Sequence, residues 1–121
     1  MKTNADFTYT FFNLNPATGQ PVDMTDWAAK MTIAYYPKPA HCVCNPPTPA
    51  LTTIYTLTSP DTITFDVSTG AINLDVPESV TSTLAVNNDA IYDLLLFPPG
   101  GAIQEFAQGP FAILSGVTDP A

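Results

Sequence analysis

The chain reads as an all-β protein, a sandwich or barrel of about seven to nine short strands. Three observations predict this. Apolar and polar residues alternate in run after run, the period of a strand with one buried face. Spacing of the helical kind is almost absent. Clusters of Gly, Pro, Asn, Asp and Ser interrupt the alternation at regular intervals, as in sandwiches and barrels.

The first run alternates Phe7, Tyr9 and Phe11 with Thr8, Thr10 and Phe12, and ends in the turn-rich stretch from Asn13 to Gln20. The next, from Trp27 to Tyr36, places Trp27, Ala29, Met31, Ile33 and Tyr35 on one face. Ala28, Lys30, Thr32 and Ala34 take the other, and Lys30 marks it as the solvent side. Pro37, Pro39, Pro46, Pro47 and Pro49 then rule out a central strand, because each lacks a backbone donor. Residues 37–49 form a long Pro-rich loop, and loops of that length in compact domains are functional or mobile.

Alternation resumes from Leu51 to Leu57. After a break at Ser59-Pro60-Asp61, residues 62–76 predict a β-hairpin: Ile63, Phe65 and Val67, the tight turn Ser68-Thr69-Gly70, then Ile72, Leu74 and Val76. Pro77-Glu78-Ser79 opens a short helical turn, with Pro at the first helical position and Val80 and Leu84 facing inward. Strands follow from Ile91 to Phe97, from Ala102 to Ala107, and, after a break at Gly109-Pro110, from Phe111 to Val117. The inward phase predicts a core of Trp27, Met31, Ile33, Phe65, Ile72, Leu74, Tyr92, Leu94 and Leu96.

The 121 residues suit one domain, 1–121, large enough to bury a core without metals or disulfides. Charged residues make up only 12%, about half the usual share. The balance is one-sided: Lys2, Lys30 and Lys38 stand against 11 acids, for a formal net charge of −8. A phosphate backbone is bound by Lys and Arg, so no nucleic acid is expected as partner. Anionic lipid is disfavoured likewise. No run of 18 apolar residues offers a membrane span. The first residues, Met1 to Asp6, lack the apolar stretch of a signal peptide, so synthesis in a cytoplasm with reduced cysteines is expected.

Residues for chemistry are scarce. His41-Cys42-Val43-Cys44 is the one cluster of metal-competent side chains. Its Cys-x-Cys spacing and lack of a second pair make two free thiols the expectation, and only loops meeting on an oligomer axis would complete a metal site. A Cys42–Cys44 bridge would close a strained ring. His41 is the sole histidine, and there is no Gly-x-Ser-x-Gly elbow, so a nucleophilic triad fails on inventory. Asp23 and Asp26, and Asp61, Asp66 and Asp75, fall at turns, where Asp bonds the local backbone. No phosphate-binding lysine accompanies Gly100, Gly101 or Gly109. No enzyme activity and no cofactor are expected. In the pairs Phe11-Phe12 and Tyr35-Tyr36 one member must face away from the core, and two such positions on neighbouring strands would make a sticky patch.

Three stretches together resemble small immunoglobulin-like β-sandwich proteins of tailed-bacteriophage virions, and the N-terminal domain of some upper baseplate proteins. Gly19-Gln20-Pro21-Val22-Asp23-Met24-Thr25-Asp26-Trp27, followed by Ala28-Ala29-Lys30-Met31-Thr32-Ile33, is similar to their G-x-P-V-D-L-T-G-W opening, with Asp26 where the family has Gly. Thr69-Gly70-Ala71-Ile72-Asn73-Leu74 is similar to their hairpin. Ala90-Ile91-Tyr92-Asp93-Leu94-Leu95-Leu96, then Gly101, Gln108-Gly109-Pro110-Phe111-Ala112-Ile113 and Gly116-Val117-Thr118, is similar to their ending.

The resemblance implies an immunoglobulin-like antiparallel sandwich. It also implies a structural protein of the virion, made in a bacterial host cytoplasm, that works as a docking adaptor in the tail or tail-fibre apparatus. A head decoration protein is the alternative, and a glycan-binding module a more distant one. Its partners would be other virion proteins, with the chain itself a homo-oligomer or present in many copies. The expected contact residues are Pro37, Pro39, His41, Val43, Pro46 and Pro47 of the loop, with Phe12 and Tyr36.

Overall fold

In a computed structural model the described residues are 1–36 and 51–115. Among them are seven strands and one helical turn: β1 (Phe7–Phe12), β2 (Ala28–Tyr35), β3 (Thr52–Thr58), β4 (Ile63–Asp66), β5 (Ala71–Val76), α1 (Glu78–Thr81), β6 (Asn87–Phe97) and β7 (Gln104–Ile113). They form two antiparallel sheets, a three-stranded one in the order β1-β5-β4 and a four-stranded one in the order β3-β2-β6-β7. In the lettering of immunoglobulin sandwiches these are B-E-D and C′-C-F-G. The expected fold class therefore stands.

The chain begins in one sheet and continues in the other. Thr3 N–H donates to the Leu114 carbonyl at 2.9 Å, and Leu114 N–H donates to the Met1 carbonyl at 2.9 Å. These bonds make a parallel bridge of Lys2 on Leu114 at the free edge of β7. The chain then crosses to the three-stranded sheet as β1. Thr81 of α1 anchors the crossing: fully buried, its hydroxyl donates to the Ala5 carbonyl at 2.7 Å. Asp6 accepts from Glu78 N–H at 2.7 Å and satisfies an orphan donor of the helical turn from 72 residues away. Pro77 takes the N-cap place and makes no side-chain cap, a small shift from the position expected.

The inward residues of the two sheets meet in one core. Met31, Ile33, Ile72, Leu74, Leu94 and Leu96 are buried as the alternation requires. Trp27, Phe65 and Tyr92 pack against that core but stay half-buried, because they lie at its rim. Leu95 is half-buried on the far side of β6 while Leu94 is fully enclosed, so the phase of the strand is as read. On β2 the solvent side is mixed: Lys30 is exposed but Ala34 is buried, at the point where β3 carries an extra residue, Ile54, between the partners Tyr55 and Thr53.

The hairpin forms as predicted except at Val67, which lies past the end of β4 and is exposed in the turn. Its turn closes with Thr69 and Gly70 N–H groups on the Asp66 carbonyl, and Gly70 has φ +76°. The expected break at Gly109-Pro110 does not occur: β7 runs through both residues, opposite Tyr92 and Ile91. Pro110 is tolerated because β7 is an edge strand, whose outward positions need no ladder donor. Gly109 lies beside the Tyr92 ring, which a Cβ there would meet at an ordinary contact distance of 3.5 Å. Val117, the expected end of this strand, lies outside the described residues.

Candidate interaction surfaces

Six of the eight expected contact residues, Pro37, Pro39, His41, Val43, Pro46 and Pro47, lie outside the described residues, as do Cys42 and Cys44. Phe12 and Tyr36 are described, and both are exposed, at 58% and 56%. Their neighbour Phe11 packs against the core and Tyr35 is half-buried, which is the split that adjacent strand residues impose. Phe12 and Tyr36 nevertheless do not make the shared patch imagined for neighbouring strands. Phe12 ends β1 in one sheet, and Tyr36 follows β2 in the other.

Asp23 and Asp66 do turn chemistry, whereas Asp75, expected at a turn, lies within β5 opposite Thr8. Asp23 accepts from the backbone N–H of Thr25 at 3.0 Å and from its hydroxyl. Asp66 accepts from the Ser68 hydroxyl at 2.6 Å and its N–H at 3.1 Å. The hydroxyl donor is the main reason each carboxyl is held below the ordinary aspartate range. Asp26, which stands where the resembling family has Gly, has φ +60°, a left-handed conformation that Asp tolerates better than most residues. Among the described residues no three His, Cys, Asp or Glu side chains converge as a metal site would need.

Among the described residues, two open depressions stand out on the surface. One of about 650 Å³ lies at the end of the sandwich, between the Met24–Trp27 turn and Pro60, Ile63 and Phe65. The other, of about 370 Å³, lies on the flank where the free edges of β1 and β7 face each other, with Phe7, Tyr9, Phe11, Tyr92 and Phe111 around it. Its rings interlock edge to face: Phe7 on Phe111 at 5.8 Å, Tyr92 on Phe111 at 6.1 Å, Phe11 on Phe106 at 6.1 Å. With Phe11 on Tyr92 at 6.3 Å, these contacts join β1 to β6 and β7 across the gap between the sheets. Alternation placed Phe7 and Phe11 on one face but carried no signal that this face meets β7. At the N-terminus the Met1 ammonium donates to the Ala112 carbonyl at 3.1 Å, and burial pushes its pKa down.

The outer faces of the two sheets differ in kind. The three-stranded sheet shows Thr8, Thr10, Phe12, Asn73, Asp75, Thr64 and Asp66, as its register dictates. The four-stranded sheet shows Ile91, Asp93, Leu95 and Phe97 along its central strand β6, flanked by Ala28, Lys30 and Thr32 of β2. Ile91, on that strip, is 40% exposed. Central-strand outward positions carrying three large apolar residues are unusual for a face that meets only water. No protein-family model, no curated protein and no solved structure matches the chain.

Proposed function

We propose that the protein is a virion structural protein of a tailed bacteriophage, a docking adaptor of the tail or tail-fibre apparatus that works by surface contact and not by catalysis. The observation that carries the reading is the arrangement of the three resembling stretches. Pro21 of the opening lies against Gly70 of the hairpin, where a Cβ on Gly70 would come within 3.2 Å of it. Ala29, Lys30 and Met31 pair with Leu96, Leu95 and Leu94 of the ending. Stretches far apart in sequence thus form one contiguous framework, which is what a shared fold requires of shared motifs. Exposed Phe12, Tyr36 and Ile91 supply apolar contact area of the kind docking proteins use.

The test is the protein content of particles. Mass spectrometry of purified tailed particles from the phage that carries this gene is expected to find the chain at a fixed ratio to the major structural proteins. Immunogold labelling is expected to mark the tail. Label on the head supports the decoration alternative. A chain made during infection but absent from particles overturns the reading.

A further inference from the structure

We propose that a second copy of this chain docks on the outer face of the four-stranded sheet, the two β6 strands stacked about a twofold axis that runs along them. The register places residues of this face in rows across β3, β2, β6 and β7. One row is Thr58, Lys30, Leu95, Glu105; the next is Thr56, Thr32, Asp93, Gln108. The first row carries a cation on one side of Leu95 and an anion on the other. A twofold along β6 exchanges the two sides, so Lys30 of each copy meets Glu105 of the other while Leu95 stacks on Leu95 and Ile91 on Ile91. The face is complementary to itself, as an isologous contact demands. Asp93 meets its own copy near the axis, and the Thr32 hydroxyl and Gln108 amide on either side supply donors to it.

Charge decides in favour of this face. The chain carries −8 overall, so two copies repel through most approaches. The outer face of the three-stranded sheet carries Asp66 and Asp75 with no basic residue among its paired positions. Lys30 makes the four-stranded face the one sheet surface on which a like copy finds an opposite charge. With strands about 4.8 Å apart and rows about 6.8 Å apart, the four-by-three patch with Ala28 and Phe97 spans about 400 Å². A standard interface takes about 800 Å² from each partner, so this dimer is a weak one.

Sedimentation of the full chain from about 10 μM to about 1 mM, the span in which weak association is populated, tests it. The expected result is a monomer–dimer equilibrium that Leu95→Glu abolishes by setting a second pair of carboxylates on the axis beside the Asp93 pair. Lys30→Glu or Glu105→Lys alone is expected to weaken the dimer roughly tenfold, since each reversal acts twice in a symmetric contact. The two together are expected to return it to within about threefold of the original. All three positions face outward, and circular dichroism checks that the variants fold. A chain monomeric at the highest concentration, a dimer indifferent to Leu95→Glu, or a double reversal no better than the single ones overturns the proposal. Particle incorporation reads the adaptor role separately, so either reading can fail without the other.

Discussion

The two sheets of this sandwich share one core and differ at the surface. Inside, Ile72 and Leu74 of the three-stranded sheet face Met31, Leu94 and Leu96 of the other, all buried. Outside, the smaller sheet is threonine, asparagine and aspartate apart from Phe12 at the end of β1, whereas the larger keeps Ile91, Leu95 and Phe97 on its central strand. A sheet face that only meets water has no physical reason to keep large apolar side chains at its centre. The difference therefore separates residues that hold the fold from residues available for contact, and it does so within single strands.

Neighbours on β6 sharpen that separation most. Leu94→Ala removes a fully buried side chain, and thermal or denaturant unfolding is expected to show a loss of about 2 to 5 kcal/mol. Leu95→Ala, one residue away and facing out, is expected to cost well under about 1.5 kcal/mol in the same measurement. Equal losses would erase the distinction between the two faces.

A smaller effect is expected in the three-stranded sheet. Gly70 has φ +76°, and a Cβ there would stand 2.8 Å from the Asn13 carbonyl oxygen, which is backbone and cannot swing away. Gly70→Ala should lower stability by about 2 kcal/mol, combining left-handed strain with that contact. Gly19→Ala is the control: its φ is +70° but nothing lies within 4 Å, so it should show the strain alone. If both variants unfold at the same denaturant concentration, the close approach of the hairpin turn to the end of β1 contributes nothing.

The smallest effect belongs to the polar face. The Ser68 hydroxyl holds the Asp66 carboxyl below its ordinary range. A group with a depressed folded pKa adds stability above its unfolded value and loses that contribution as pH falls through the folded one. The gap in melting temperature between the native chain and Ser68→Ala should thus be present at neutral pH and close below about pH 4. A gap that is unchanged at pH 2 would show that the hydroxyl acts by some route other than the carboxylate.

Much of the architecture was legible because each strand reports its own phase. The hairpin of β4 and β5 could be read from Ile63, Phe65, Gly70, Ile72 and Leu74, since period and turn chemistry agreed there. Gly109-Pro110 misled because a proline signals the end of a strand only if its donor is needed, and edge position is a property of the whole sheet. The pairing of Met1 to Thr3 with Leu114 was invisible for a similar reason: it spans the length of the domain and leaves no local pattern. Leu95 and Ile91 were readable as outward but not as adjoining Lys30 and Glu105, which only register decides. Of the expected contact residues, Phe12 and Tyr36 were exposed as adjacency predicts. Alternation says nothing about which sheet a strand joins, and so could not show that they lie apart.

The bridge between the first residues and Leu114 also has a mechanical meaning. Met1 to Thr3 and the end of β7 run parallel, side by side. Tension applied between Met1 and Leu114 pulls these two segments past each other along their length. The Thr3-to-Leu114 and Leu114-to-Met1 hydrogen bonds lie across that pull, so they bear it together and do not open one after another. Behind them the Met1 ammonium on Ala112 forms a third tie at the same end. A domain stretched in this way resists at its closing seam first, with the core strands reached only after that seam has slipped.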